Sequence, residues 1–198
     1  MTMARPRAIY LTHPEVNIDA DVAVTDWGLS ETGIRRARCL AYNLGDTSQI
    51  QIVTSAERKA LETGWILAGQ SGRAIKVCPD MHENDRSATG FLPKDEFERT
   101  ADAFFAHPDQ SIRGWEMART AQSRICTAVR REAAAAPDID LIFVGHGGVG
   151  TLLYCDLARE PISREFDQAG NGGHALIFDP EAWTVQEAWR PMEDLTRR

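Results

Sequence analysis

The chain has 198 residues, of which 43% are hydrophobic and 26% charged, and its formal net charge is −7. Such a chain suits one globular domain with a full core and excludes a disordered polymer. The acidic balance argues against a broad grip on nucleic acid or an anionic membrane, although one local cationic cleft remains compatible with it.

Ala8 to Leu11 reads as a short buried strand that stops at Thr12-His13-Pro14. Ser30 then stands where it can cap a helix running to about Leu44, in which Ile34, Ala37, Leu40, Ala41 and Leu44 recur at helical spacing. Gln51 to Thr54 is a second strand, Glu57 to Ala68 a second helix, and Ala74 to Val77 a third strand. From Cys78 to about Lys94 the chain is irregular, with Pro79, Gly90 and Pro93 among many charges. Helical pattern resumes near Asp95 and breaks at His107-Pro108, and Gly114 to about Ala135 is the longest helical stretch. Asp140 to Val144 is a continuous apolar strand that runs through Gly145-His146-Gly147-Gly148 straight into a helix. His174 to Phe178 and Thr184 to Trp189 complete a sheet. Strands alternating with helices predict a three-layer α/β/α domain around a mostly parallel sheet, with ligands bound beyond the carboxyl ends of its strands.

Four scattered cysteines, Cys39, Cys78, Cys126 and Cys155, form no C-x-x-C pair. Neither a disulfide framework nor a zinc site is expected, and a reducing cytoplasm is the expected compartment. The first residues lack the apolar stretch of a signal peptide, and no segment approaches the length of a membrane span.

Two of the five histidines, His13 and His146, follow buried strands directly. Taken alone, His13 reads equally as a surface loop residue. The glycines around His146 let a ligand approach the backbone at a helix N-terminus, which favours an anion. Together the two suggest a phosphate or carboxylate site.

Leu11-Thr12-His13-Pro14 resembles the L-x-R-H-G motif that opens the histidine phosphatases, a phosphoglycerate mutase-like superfamily. Leu29-Ser30-Glu31-Thr32-Gly33 followed by Ala37 is similar to that family's L-T-x-x-G-x-x-Q-A helix start. The segment Thr54 to Thr63 resembles S-S-x-x-x-R-A-x-x-T-A, a reading that sets Arg58 at the arginine, and Val144 to Val149 is similar to V-S-H-G-G-x. These pieces come in the family's order across nearly the whole chain. The resemblance implies one domain over residues 1–198, with a variable insertion around residues 78–110 that sets specificity.

It also implies roles. His13 would be the nucleophile that forms a phosphohistidine, and Arg58 a planar clamp on the phosphate oxygens, with a competing structural role in pairing with Glu62 at i+4. His146 would donate to the same oxygens, and Glu83 would be the acid/base carboxylate if the pocket raises its pKa, with Asp85 and Glu96 as alternatives. No metal or cofactor is implied, because fixed cations and dipoles stabilise the charge. The chain departs from the motif at Thr12 and Pro14, where the family has arginine and glycine. Threonine keeps one donor but no charge, a loss of about 3 kcal/mol or roughly a hundredfold in rate. Either another cation compensates, with Arg86 and Arg113 as candidates, or the site binds without turnover. The expected partner is a small phosphorylated substrate or phosphate, with no nucleic acid, no membrane and a homodimer as the oligomer compatible with the sequence. The activity expected is metal-independent hydrolysis of a small phosphomonoester. The alternative is a catalytically inert binding or regulatory protein on the same fold.

Overall fold

A computed structural model describes residues 7–69 and 74–196. Six strands form one sheet: β1 (Ala8–Thr12), β2 (Ile50–Thr54), β3 (Lys76–Val77), β4 (Asp140–Gly145), β5 (His174–Asp179) and β6 (Thr184–Pro191). Their order is β3-β2-β4-β1-β5-β6. The pairs β2–β3, β2–β4 and β1–β4 are parallel, and β1–β5 and β5–β6 are antiparallel. The mostly parallel sheet expected from the sequence is therefore present, with its two antiparallel strands at one edge.

The helices are α1 (Glu31–Leu44), α2 (Arg58–Ala68), α3 (Lys94–Ala106), α4 (Ala118–Ala134) and α5 (Gly147–Ala158). Alternate strand residues face opposite layers, as the two-residue strand period requires. Tyr10, Val53, Leu141, Phe143, Leu176 and Phe178 pack in one core with α3, α4 and α5. Ile9, Leu11, Ile52, Ile142, Val144 and Ile177 pack in the other with α1 and α2. That gives the three-layer α/β/α domain. No described helix is long and apolar enough to cross a membrane.

Local signals explain most boundaries. The Ser30 hydroxyl accepts the Gly33 amide at 3.0 Å and caps α1. Gly33 is required there for another reason: a Cβ would lie 2.1 Å from the Glu15 carbonyl oxygen. The longest helix starts at Ala118, four residues after the expected Gly114. Arg113 and Gly114 both have positive φ, 54° and 83°, so the chain turns there instead of continuing as a helix. Residues 74 and 75 fall outside β3, which pairs with β2 only at Lys76 and Val77.

Candidate active site

Strands β1 and β4 are adjacent and parallel, with Thr12 opposite Gly145. The next residue of each strand is a histidine, so the register alone delivers His13 and His146 to one point beyond the carboxyl ends of the sheet. The His13 amide bonds to the Gly145 carbonyl at 3.0 Å, and the ring centroids lie 5.3 Å apart, edge to face. Beneath them the buried Tyr10 hydroxyl accepts the His146 amide at 3.0 Å and donates to the His146 carbonyl at 3.2 Å. Gly145 has to be glycine, since a Cβ would sit 2.2 Å from that hydroxyl.

The His13 ring is held by its own loop. Its Nδ1 lies 2.9 Å from the Pro14 carbonyl oxygen. A carbonyl only accepts, so Nδ1 carries the proton and Nε2 presents a bare lone pair. Burial drives the pKa of the ring down to about 4, against the opposing pull of the Pro14 bond. His13 is thus a neutral imidazole with one nitrogen free. Its carbonyl accepts the Gly173 amide, and Arg36 from α1 donates to the Gly172 and Gly173 carbonyls while pairing with Glu193. Gly172, at φ 77°, allows this approach: a Cβ would lie 2.4 Å from the His13 carbonyl oxygen.

His146 is fully buried. Its Nε2 lies 2.7 Å from Ser55 Oγ and 3.5 Å from Glu57 Oε1, while its Nδ1 has no partner. Burial, and then the neighbouring His13, hold its pKa well below the usual value.

Glu83 seats its carboxylate on the N-terminus of α5, accepting the Gly148 and Val149 amides at 3.0 and 2.9 Å and its neighbour Asn84's amide at 3.0 Å. Arg124 of α4 fixes this segment from behind by donating to the Asp80 and His82 carbonyls. Burial would raise the Glu83 pKa, but His146, Arg86 and the backbone amides outweigh it and hold the group below the ordinary carboxylate value. That is opposite to the raised pKa expected for an acid/base carboxylate. The Glu83 amide in turn donates to Glu57 Oε1 at 2.9 Å.

The other expected positions divide. Arg58 does not enter the pocket: its side chain is 62% exposed and pairs with Glu62 at 2.7 Å, the i+4 alternative. Lys59, one residue on, is 2% exposed and buried in the site, paired with Glu57 and donating to the Val24 carbonyl at 2.7 Å. Counted from Thr54-Ser55, the arginine position of the S-S-x-x-x-R-A pattern falls on Lys59, so the sequence did hold the signal. Thr12 Oγ1 donates to Gln168 at 2.6 Å and accepts the His174 amide, which commits it to the wall of the site rather than to a ligand. Arg113 is remote, paired with Glu96 at 2.9 Å across a turn, which also removes Glu96 as an alternative carboxylate.

Arg86 is present at the site. It lines two cavities, of about 410 and 180 Å³, that meet at Glu83 and Asn84. Its guanidinium lies 5.0 Å over the Phe97 ring and makes no ion pair or side-chain hydrogen bond among the described residues. The other described arginines of comparable burial, Arg7, Arg36, Arg124, Arg164 and Arg190, are all paired with carboxylates. Asn84 Nδ2, buried in the same wall, also lacks a partner. Ser55, Glu57, Lys59 and Asn84 were not anticipated as site residues. Among the described residues no three His, Cys, Asp or Glu side chains form a metal-holding group.

The sequence and the fold were compared with known proteins. No curated protein sequence matches the chain. The solved structure of mycobacterial glucosyl-3-phosphoglycerate phosphatase with inorganic phosphate superposes with a TM-score of 0.75 at 22% identity, over 97% of this chain and 100% of that one. YhfR of Bacillus stearothermophilus gives 0.75 at 21% identity, over 96% and 98%. The α-ribazole phosphatase of Shigella flexneri gives 0.76 at 17%, over 97% and 98%. At those identities the likeness is one of fold. The sequence profile of the histidine phosphatase superfamily, branch 1, matches residues 13–189, from the first site histidine to the last strand, and the chain belongs to that superfamily.

Proposed function

We propose that this protein is a metal-independent phosphatase that hydrolyses a small phosphomonoester through a phosphohistidine at His13. The observation that carries this reading is the His13 ring itself, neutral and with Nδ1 tied to the Pro14 carbonyl so that Nε2 keeps its lone pair. A second support is the family, together with phosphatases among the structural neighbours.

In this mechanism Nε2 attacks phosphorus and the bond to the leaving oxygen breaks, with Glu83 supplying its proton. Glu83 is held ionised in the free protein, so it takes up a proton from solvent as the substrate binds. A phosphate dianion beside the carboxylate raises its pKa, as any like charge does. Water then attacks the phosphohistidine, Glu83 takes its proton, and inorganic phosphate leaves. The Lys59 ammonium, the Arg86 guanidinium and His146 Nδ1 face the developing charge in place of the family's arginine fork.

The second reading, an inert phosphate-binding protein, rests on one observation. The only buried ammonium among the described residues of the site, Lys59, is already neutralised by Glu57, and Thr12 supplies no charge. Aryl phosphate hydrolysis in EDTA decides between them when wild type is compared with His13→Ala. Turnover that disappears in the variant supports the phosphatase. Phosphate binding without turnover, across a panel of esters, supports the inert protein.

A further inference from the structure

The site holds two cations, Lys59 and Arg86, against two carboxylates, Glu57 and Glu83, around two neutral imidazoles. A phosphate dianion therefore meets no net positive charge. Lys59 replaces the family arginine, yet its ammonium lies within an ion pair. The unanticipated residue in this arrangement is Glu57, an acid placed between the two halves of the site.

The hydrogen-bond pattern gives Glu57 a task. Ser55 Oγ accepts the Glu57 amide at 3.3 Å and lies 2.7 Å from His146 Nε2. A hydroxyl has one proton and two lone pairs, so Ser55 Oγ can hold the Glu57 amide and still either donate to a bare Nε2 or accept from a protonated one. Nδ1 is the buried atom without a partner. A protonated ring would carry a second N–H at Nε2, and Glu57 Oε1 stands 3.5 Å from that atom. Ser55 thus serves the ring in either state, and Glu57 adds a negative charge 3.5 Å from Nε2 when the ring is charged.

We propose that Glu57 is a positioning residue that lets His146 take up a proton when phosphate or a phosphomonoester binds, so that the imidazolium supplies the charge the missing arginine would have carried. The inference rests on the phosphate-site reading above. The groups facing His146 are His13 and Tyr10 from the β1 side, Ser55 and Glu57 ahead of α2, Lys59 on α2, and Glu83 and Arg86 from the segment before α3. Of these, only Glu57 places a carboxylate oxygen within 3.5 Å of Nε2. The proton is balanced: it comes from solvent, or arrives on the ester monoanion, which ionises at about pH 6. No bond other than N–H changes.

The test is the pH dependence of inorganic phosphate binding from about pH 7 to about pH 9, with the His146 ring nitrogens followed by NMR in the free and phosphate-saturated protein. In the wild type, binding should weaken by up to about tenfold per pH unit, the signature of one proton taken up, and the ring should become doubly protonated on saturation. Glu57→Gln should keep a neutral ring and lose the part of the slope that belongs to His146, leaving only what Glu83 contributes. Glu57→Asp, which keeps the carboxylate, should retain the wild-type slope. A flat profile or a neutral ring in phosphate-saturated wild type overturns the proposal, as does a Glu57→Gln protein that behaves like wild type. Wild type that binds no phosphate sinks the phosphate-site reading as well, a result distinct from binding without proton uptake.

Discussion

Replacing Tyr10 with phenylalanine removes one oxygen and leaves the ring, including its edge contact with Trp189 at 6.4 Å. The lost hydroxyl serves both backbone groups of His146. The His146 carbonyl keeps a second partner, the Gly150 amide at 3.1 Å, whereas the His146 amide loses its partner in a fully buried position. A buried donor left unpaired costs about 1–3 kcal/mol, and apolar packing is unchanged, so the expected destabilisation is about 2 kcal/mol. For a domain of this size that lowers Tm by about 4–8 °C and the urea midpoint by about 1 M at an unchanged slope. Urea and thermal denaturation of the two proteins side by side measure it. A change below about 0.5 kcal/mol would refute the reasoning, because it would mean the His146 amide finds another partner and its loop is not held from below.

The cation count predicts that Arg86→Ala lowers kcat/KM on an aryl phosphate by about a hundredfold, the effect of removing one charged donor from a transition state. Arg113→Ala, whose side chain bonds to Glu96 and Thr100 away from the histidines, should leave it within about twofold; equal losses in both would show that Arg86 acts through folding. Stability should also fall on the acid side. His13 and His146 are held below the value of about 6.5 to which they return in the unfolded chain. The unfolded chain therefore binds more protons below about pH 6.5, and stability is lost as pH falls from there toward 4. Glu83, held low in the fold, adds loss in the same direction below its ordinary value. Urea unfolding at pH 5 and pH 7 should differ by at least about 1 kcal/mol, with the difference reduced in His13→Ala. An identical midpoint at both pH values would contradict the neutral histidines.

The strands and the pairing of His13 with His146 were legible because each histidine directly follows a short apolar run, a local signal. Choosing between Arg58 and Lys59 turned on counting the motif from Thr54-Ser55, and helix phase made the count matter. Adjacent residues point about 100° apart around a helix, so a one-residue offset at the start of α2 exchanges an exposed side chain for a buried one. Arg113 was a candidate only by its place after the irregular middle; a turn with positive φ at Arg113 and Gly114 instead carries its side chain to Glu96 on α3. Glu57 gave no signal at all. Its partners are a lysine two residues on, a backbone amide 26 residues on and a histidine 89 residues away, and only the folded sheet brings the last two together.

The sheet order has a consequence for synthesis. β1 lies between β4 and β5, so the earliest of these six strands to leave the ribosome has no strand partner until residues 140–145 follow it, and its other neighbour comes later still. At about 5–20 residues per second the apolar segment from Ala8 to Thr12 stays unpaired for on the order of ten seconds. The loop that carries His13 waits longer, until Gly173 and the Arg36–Glu193 pair can hold it. The nascent domain therefore carries β1 without strand partners, the condition that favours aggregation, through most of its own synthesis, and the pocket is assembled among the last parts of the domain.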